Sequence, residues 1–195
     1  MTQNLFSNTK IDTPLRKTIR ERRSIKSNYK QETVEESLVM EILDDAVWAP
    51  NHGLREPWRF IFISSEDKEQ FVEKLVQTFP KEMHENRRHY FNQPAAFLII
   101  VMPEDSRQKQ REEDFGAVSC LIHNFQLLAW EKKLGVVWKT NPHIYDPKVR
   151  KLLGVEAGEK IVGFLHLGFF TEEFIPKMRE RTDPREKLTR FNEIG

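Results

Sequence analysis

The sequence predicts an α+β or α/β domain in which a small central sheet is covered by helices. Three observations support this class. Segments with apolar residues at helical spacing alternate with short apolar runs typical of strands. Their order is helix, helix, strand, helix, helix, strand, helix, strand, helix, strand, without an internal repeat or low-complexity linker. The length of 195 residues fits one domain, which we take to span residues 1–195.

The first two helices have recognisable boundaries. Thr13-Pro14 is a good start for a short helix that runs to about Arg22. The residues 33–36, TVEE, have the spacing of a capping box for a second, amphipathic helix. This second helix should end near Trp48, because Pro50 disfavours helical geometry in the residue before it.

The middle of the chain reads as strand, helix, helix, strand. Residues 59–64 predict a strand, and Ser65 begins a helix with apolar residues at helical spacing. The highly charged segment 81–92 predicts a solvated helix. Residues 95–102 are continuously apolar, so we expect this strand at the centre of the sheet.

The second half begins with the longest predicted helix, from residue 112 to about 133, which is apolar on most sides. It should therefore be buried, with a subunit contact as one reason. A short strand follows at 136–139, and Asp146-Pro147 starts a helix that Gly154 closes. Residues 160–169 predict the last strand, and the charged tail from Pro176 is not expected to form a core of its own.

Composition excludes several classes of protein. The chain has 31 basic and 30 acidic residues, and this balance argues against a dedicated nucleic-acid binder. One cysteine allows no intramolecular disulfide, the first twelve residues lack the pattern of a signal peptide, and the longest apolar run is too short to span a membrane. We expect a cytoplasmic protein. Its hydrophobic fraction of 38% is modest, which favours a second subunit that completes the apolar surface.

Motifs for nucleotide-fold, metal and hydrolytic chemistry are missing from the sequence. It contains neither GxGxxG nor GxxxxGK[ST]. His84 and His89 resemble HExxH, but residues five apart lie about 140° apart around a helix and do not form one metal-binding face. We predict no metal site. Cys120 and His166 lie among apolar residues and are expected in the core.

The first candidate binding segment is Arg22-Arg23-Ser24, at the end of the first helix. Two guanidinium groups beside a hydroxyl suit a phosphate, because arginine matches its oxygens in a bidentate geometry. The alternative is that these charges pair with the negative end of the helix dipole.

The second candidate is the segment 48–60, WAPNHGLREPWRF. Its two prolines stiffen the chain and its glycine allows a sharp turn, so Asn51, His52 and Arg55 can present donors from a fixed frame. Such a loop suits a planar polar ring. The alternative is a well-packed loop with Trp48 and Trp58 in the core.

The third candidate is Trp138-Lys139-Thr140, at the end of a short strand. Strand ends are common ligand positions in α/β proteins. The alternative is an ordinary strand exit.

Five segments in order carry a resemblance to one family: ERRSIK, AVWAPNHGLREPWRFIFI, DFGAVSCLIHNFQLLAWEKKLGVVWKT, DPKVRKLLGV and EKIVGFLHLG. Together they resemble the nitroreductase family of FMN-dependent oxidoreductases, and most closely its compact bacterial branch of NAD(P)H nitroreductases. The resemblance covers roughly residues 14–170.

The resemblance implies an α+β nitroreductase-like fold, with a small, mostly antiparallel central sheet flanked by helices, in an intertwined homodimer. Two FMN sites would lie at the dimer interface, and residues 171–195 would form an extension that packs on the partner subunit. The implied FMN contacts are Arg22, Arg23 and Ser24 at the phosphate and ribityl groups, Trp48 and His52 from the partner subunit, Trp138, Lys139 and Thr140 along the flavin, and Arg181 from the tail, with Arg179 and Arg185 as rivals.

The implied activity is NADH- or NADPH-dependent reduction of nitroaromatics, quinones or similar flat acceptors by ping-pong transfer. Because FMN carries the chemistry, no catalytic acid–base pair is required. Lys139 and Arg55 are candidates for a positive group near the N1/O2 edge of the flavin, and segments 80–92 and 103–113 are expected to line or cover the acceptor site. The alternatives are a flavin-binding protein without turnover and a family member with another reaction, such as enoate reduction or flavin degradation.

Overall fold

The computed structural model describes residues 13–191, so the predictions for residues 1–12 and 192–195 lie outside the described residues. The predicted order of helices and strands is confirmed. The elements are α1 Pro14–Glu21, α2 Glu36–Ala46, β1 Arg59–Ile63, α3 Lys68–Val76, α4 His84–Phe91, β2 Ala96–Pro103, α5 Gln108–Glu131, β3 Leu134–Lys139, α6 Pro147–Leu152 and β4 Glu159–Phe169. Within the described range, no helix is long and apolar enough to cross a membrane.

The four strands form one sheet in the order β1-β2-β4-β3, and each neighbouring pair is antiparallel. The fold is therefore α+β, and the small antiparallel sheet is confirmed. As predicted, β2 is an inner strand, and seven of its eight residues are buried. It is continuously apolar because both faces of the sheet are covered.

Side chains alternate between the two faces of the sheet, so the protein has two apolar clusters. One face carries Leu98 and Ile100 and packs against α2 and α5. The other face carries Phe97 and Ile99 and packs against α3, α4 and α6. The sheet thus lies between two layers of helices.

Two of the three predicted helix caps are confirmed. Thr13 Oγ1 accepts a hydrogen bond from the N–H of Arg16 at 3.2 Å, and the Asp146 carboxylate accepts one from the N–H of Lys148 at 2.7 Å. The capping box at 33–36 is wrong, because α2 begins at Glu36 and Glu35 is its N-cap without a side-chain cap. The buried Val34 instead donates its N–H to Ser65 Oγ at 3.0 Å, which keeps this stretch extended.

The charged segment 81–92 is not fully solvated. Phe91 at the end of α4 is completely buried, and it contacts the ring of Phe97 on the sheet. The C-terminal end of this short helix therefore belongs to the core.

The prediction that Cys120 lies in the core is wrong for the single chain. Cys120 is exposed, whereas Val118, Leu121 and Ile122 on the same helix are fully buried. A helix turns by about 100° per residue, so Cys120 points away from the sheet. Phe115 is also exposed, on another side of the same helix, and a subunit contact along α5 stays a prediction.

Candidate functional site

A cavity of about 450 Å³ opens between the segment after α1 and the C-terminal tail. We call it the cationic cavity, because six of its lining side chains are basic and none of the described residues lining it is acidic. The lining residues are Arg22, Arg23, Ser24, Lys26, Ser27, Phe174, Pro176, Lys177, Arg179 and Arg181. This charge distribution suits an anion.

Arg22 and Arg23 make different contacts at the end of α1. Arg22 is the C-cap residue, and its backbone turns to ψ 131° after its N–H donates to the carbonyl of Thr18. Arg23 Nη1 donates to the carbonyls of Arg20, Glu21 and Arg22 at 2.7, 2.8 and 2.9 Å. Arg23 Nη1 thus lies at the negative end of the helix dipole, as the alternative predicts, and the phosphate role of Arg23 stays a prediction.

Buried donors remain at this position. Arg22 Nη1 and Arg23 Nε are buried and have no hydrogen-bond partner within residues 13–191. Burial lowers the pKa of Arg22, and the nearby charges of Arg23 and Arg181 lower it further. Buried polar groups are normally satisfied, and a phosphate supplies both the acceptor oxygens and the negative charge that these donors lack.

The tail brings two of its arginines to the cationic cavity. Arg179 and Arg181 line it, and Arg181 Nη1 donates to the carbonyl of Arg179 at 2.9 Å. Arg185 does not line it, because its guanidinium pairs with Asp183 at 2.6 Å. The structure thus brings Arg181 together with Arg22, Arg23 and Ser24, while their contacts to FMN stay predictions.

Two lysines of the cationic cavity were missed by the sequence analysis. Lys26 lies two residues after Ser24 in the ERRSIK segment, so its place in that motif was an available signal. Beyond the general charge of the tail, nothing in the sequence indicates that Lys177 lines this cavity, because only folding places the tail beside the segment after α1.

Trp138 lies against a glycine of the neighbouring strand. Its indole Nε1 donates to the carbonyl of Val162 at 3.2 Å. A Cβ atom at Gly163 would lie 2.2 Å from this nitrogen, so only glycine leaves room for the ring. The half-buried Trp138 also packs against the core shared with α2 and α5.

Lys139 points to the opposite face of the sheet. Its Nζ lies 5.4 Å from the centre of the Tyr90 ring, a cation–π contact with α4. Thr140 follows the last strand residue and is exposed. A ligand along this strand end would meet Trp138 and Lys139 on different sides.

The segment after Ser24 packs on this same pair of strands. A Cβ atom at Gly135 would lie 2.8 Å from Ile25, and one at Gly168 would lie 2.6 Å from the Tyr29 ring. Tyr29 Oη donates to the carbonyl of Ile25 at 2.6 Å and so holds the segment in shape. The first and third candidate segments therefore belong to one packing unit around β3 and β4.

The loop after α2 has a strained backbone. Gly53, Leu54 and Glu56 have φ values of 64°, 51° and 46°, and the left-handed region is uncommon for residues other than glycine. Asn51 stabilises this shape, because its Oδ1 accepts from the N–H of Glu56 at 3.0 Å and its Nδ2 donates to the carbonyl of Ala49 at 3.2 Å. Such strain persists where surrounding contacts enforce it.

Arg55 ties this loop to the start of α5. Its Nη2 and Nε donate to Oδ1 of Asp114 at 2.7 and 3.3 Å. Asp114 is only 3% exposed, and Gln110 also donates to its carboxylate. A cavity of about 500 Å³ lies beside this pair. It is lined by Arg55, by Asp114 and by part of the segment 103–113.

The two tryptophans of the loop have different environments. Trp58 packs against the core, whereas Trp48 is 85% exposed. The alternative of a packed loop is thus correct only for Trp58. Neither Trp48 nor the exposed His52 lines the cationic cavity of the same chain, and their contact with a partner's flavin stays a prediction.

Two histidines are buried on the side of the sheet that faces α4. As predicted, His166 belongs to the core, and burial followed by the charges of Lys139 and His143 lowers its pKa to about 3. His143 was not singled out from the sequence; burial and Arg87 lower its pKa to about 4. Both imidazoles are therefore neutral at pH 7 in the folded protein.

The free energy of unfolding is expected to decrease as the pH falls below about 6.5. In the unfolded chain both histidines regain ordinary pKa values and take up protons that the folded protein does not, so the unfolded state is favoured. Two such groups lower the free energy of unfolding by up to about 2.7 kcal/mol for each pH unit of acidification. Urea unfolding between pH 7.5 and 5 measures the effect, and His166→Phe should remove about half of it. His89→Gln, at an exposed histidine, is the control, and an unchanged profile in His166→Phe would contradict this assignment.

Among residues 13–191, no cluster of three or more histidine, cysteine, aspartate or glutamate side chains could hold a metal ion. His84 is instead engaged with the carbonyl of Phe79 at 2.9 Å.

The antiparallel sheet between two helical layers defines an α+β protein, and its cationic cavity has the charge that would suit an anion. A family model described as the Nitroreductase family matches residues 19–169. The chain belongs to the nitroreductase family.

Individual relatives agree with this assignment. The "Putative NAD(P)H nitroreductase YfhC" of Bacillus subtilis is 37% identical over 183 residues, which cover 90% of this chain and 93% of that protein. The crystal structure of a nitroreductase-like family protein from Bacillus cereus matches with a TM-score of 0.85 and 37% identity over 92% of this chain and 97% of that chain. A protein from Desulfovibrio desulfuricans, solved in complex with FMN, matches with a TM-score of 0.71 at 22% identity over 92% of this chain and 97% of that chain, and so supports the fold.

Proposed function

We propose that the protein is an FMN-dependent oxidoreductase that uses NADH or NADPH to reduce nitroaromatics, quinones or similar flat acceptors. The observation that carries this proposal is the cationic cavity, in which Arg22 and Arg23 keep buried donors without partners within the described residues. The cavity is lined by the segment 22–24, which the family resemblance assigns to the phosphate of FMN. Family membership supplies the reaction class.

The residues fit the phosphate end of FMN. A phosphate monoester carries a charge of about −1.5 to −2 at pH 7 and three acceptor oxygens. Arg22 Nη1 and Arg23 Nε would donate to it, the Ser24 hydroxyl would add a donor, and Arg181 would close the site from the tail. Burial lowers the pKa of Arg22, and the charges of Arg23 and Arg181 lower it further; a bound dianion would offset this repulsion.

The other predicted contacts complete the proposal. Bound FMN would accept hydride from the nicotinamide and pass electrons to the acceptor. The strand end 138–140 would orient the ring, and Trp48 and His52 would approach it from the partner in a homodimer. Arg55 is neutralised by Asp114, which leaves Lys139 as the better candidate for the positive group near the reduced ring. Location in the cytoplasm is part of the same proposal.

The colour of the purified protein tests the cofactor. Flavin absorbance, with FMN released on denaturation, together with steady oxidation of NADH or NADPH by a quinone or nitroaromatic, would support the proposal. A colourless protein that cannot be reconstituted with FMN would refute it. A yellow protein that oxidises neither nucleotide would favour a binding function without turnover.

Lys139→Met is expected to lower the midpoint potential of the flavin, because removal of a positive charge destabilises the reduced anionic form. A decrease of roughly 30 mV corresponds to a tenfold change in the two-electron equilibrium. Spectroelectrochemical titration measures it. The control is Lys133→Met, just before the other end of β3, where the lysine pairs with Glu172 on the surface. An unchanged potential in Lys139→Met would remove Lys139 from this role.

A further inference from the structure

The cationic cavity has two layers of positive charge. Arg22 and Arg23 are half-buried and form an inner layer beside Ser24. Lys177, Arg179 and Arg181 are exposed and come from the tail, where they form the outer layer. Lys26 also lines the cavity, which brings its cations to six.

One FMN phosphate does not balance this charge. It contributes about two negative charges, while the cavity presents six positive groups and no acid from the described part of the chain. Arg22, Arg23 and Arg181 line the same cavity, so these cations repel one another: beyond the effect of burial, the charges of Arg23 and Arg181 lower the pKa of Arg22 further.

The donors for FMN are concentrated in the inner layer. The buried nitrogens without partners in the described chain belong to Arg22 and Arg23, and Arg181 is the tail arginine that acts electrostatically on Arg22. Lys177 and Arg179 are left in the outer layer, where their exposed side chains stay accessible from solvent while the inner layer is filled.

We propose that Lys177 and Arg179 bind the 2′-phosphate of NADPH and that the protein therefore discriminates NADPH from NADH. The two nucleotides differ only in this phosphate, and a nearby arginine is the usual means of accommodating it in dinucleotide-binding proteins. A second dianion at the outer layer would offset the charge that the first leaves uncompensated. This inference rests on the proposed function, and it selects the co-substrate that the sequence leaves open.

The test uses the FMN-loaded full-length protein at low ionic strength. We expect kcat/KM for NADPH to exceed that for NADH by about tenfold or more, with the same quinone as acceptor. The double variant Lys177→Gln/Arg179→Gln should lose this advantage through a lower kcat/KM for NADPH. Its kcat/KM for NADH should stay within about twofold of the unmodified protein. Adenosine 2′,5′-bisphosphate should inhibit the unmodified protein more strongly than 5′-AMP does. The two nucleotides should inhibit the double variant equally.

The matched control is Arg185→Gln/Lys187→Gln, which removes two cations from the same tail outside the cationic cavity. It should keep the preference for NADPH. Equal kcat/KM for the two nucleotides in the unmodified protein would overturn the inference, and so would an equal loss for both in Lys177→Gln/Arg179→Gln, which would indicate general electrostatic attraction. Loss of FMN from that variant would also overturn it, by assigning the outer layer to the flavin phosphate. In each of these cases NADH-driven turnover by the unmodified protein would leave the proposed function standing, whereas absence of turnover with either nucleotide would overturn both.

Discussion

Replacing Gly163 with alanine is expected to lower the thermal stability of the protein and to disrupt the Trp138 strand end. The added Cβ would lie 2.2 Å from Trp138 Nε1 and 2.9 Å from the carbonyl oxygen of Lys139. Both distances are far below van der Waals contact, so the indole must leave its position and give up its hydrogen bond to Val162. Overpacking of this kind costs about 1–3 kcal/mol or more. For a chain of this size we expect the melting temperature to fall by roughly 5–10 °C.

Thermal unfolding followed by circular dichroism measures this effect, and FMN retention reports on the strand end. A double-mutant cycle with Trp138→Ala provides the control, because the indole is the main obstacle to the new methyl group. Gly163→Ala should cost much less in the Trp138→Ala background. Equal costs in both backgrounds would show that the indole is not the cause.

Arg22→Gln is expected to weaken FMN binding by about 10- to 100-fold without destabilising the protein. The variant loses a charged hydrogen bond to the phosphate, an interaction typically contributing about 1.5–3 kcal/mol. In the absence of FMN it also removes a half-buried charge that is repelled by Arg23 and Arg181, so the apoprotein should be as stable as before or slightly more stable. Fluorescence titration with FMN and apoprotein unfolding measure the two quantities.

Arg23→Gln is the informative comparison. Arg23 donates to three carbonyls at the end of α1, so its loss should destabilise the apoprotein as well as weaken FMN binding. If both variants destabilised the apoprotein equally, Arg22 would be a structural residue and its assignment to the phosphate would be wrong.

Much of the fold could be predicted because its signals are local. Thr13 and Asp146 cap helices through hydrogen bonds to residues two or three positions away, and the apolar run in β2 reflects burial on both faces. The failures have a common cause. The TVEE segment has the spacing of a cap, but a contact with Ser65 keeps Val34 extended. Cys120 has apolar neighbours, but the packing of α5 turns it outward.

The candidate site shows the same division. The ERRSIK motif identified Arg22, Arg23 and Ser24. It did not indicate that Arg23 Nη1 would donate to carbonyls of α1 while Arg22 Nη1 would have no partner in the described chain. Arg55 was a candidate for flavin contact, and the structure shows that it pairs with Asp114, 59 residues away in sequence, a partner that the sequence did not indicate. The long-range partner is what assigns each role.

By itself, the sequence determined the order and type of the secondary-structure elements, the resemblance to the nitroreductase family and the three segments that could hold a ligand. These features depend on periodicity, caps and motif order, which are encoded by residues close together in the chain. The tertiary structure alone decided which strands pair, that Arg181 and Lys177 join Arg22 at one cavity, and that Gly163 makes room for Trp138. These features depend on contacts between distant segments, whose geometry is set by packing of the whole chain rather than by any local pattern.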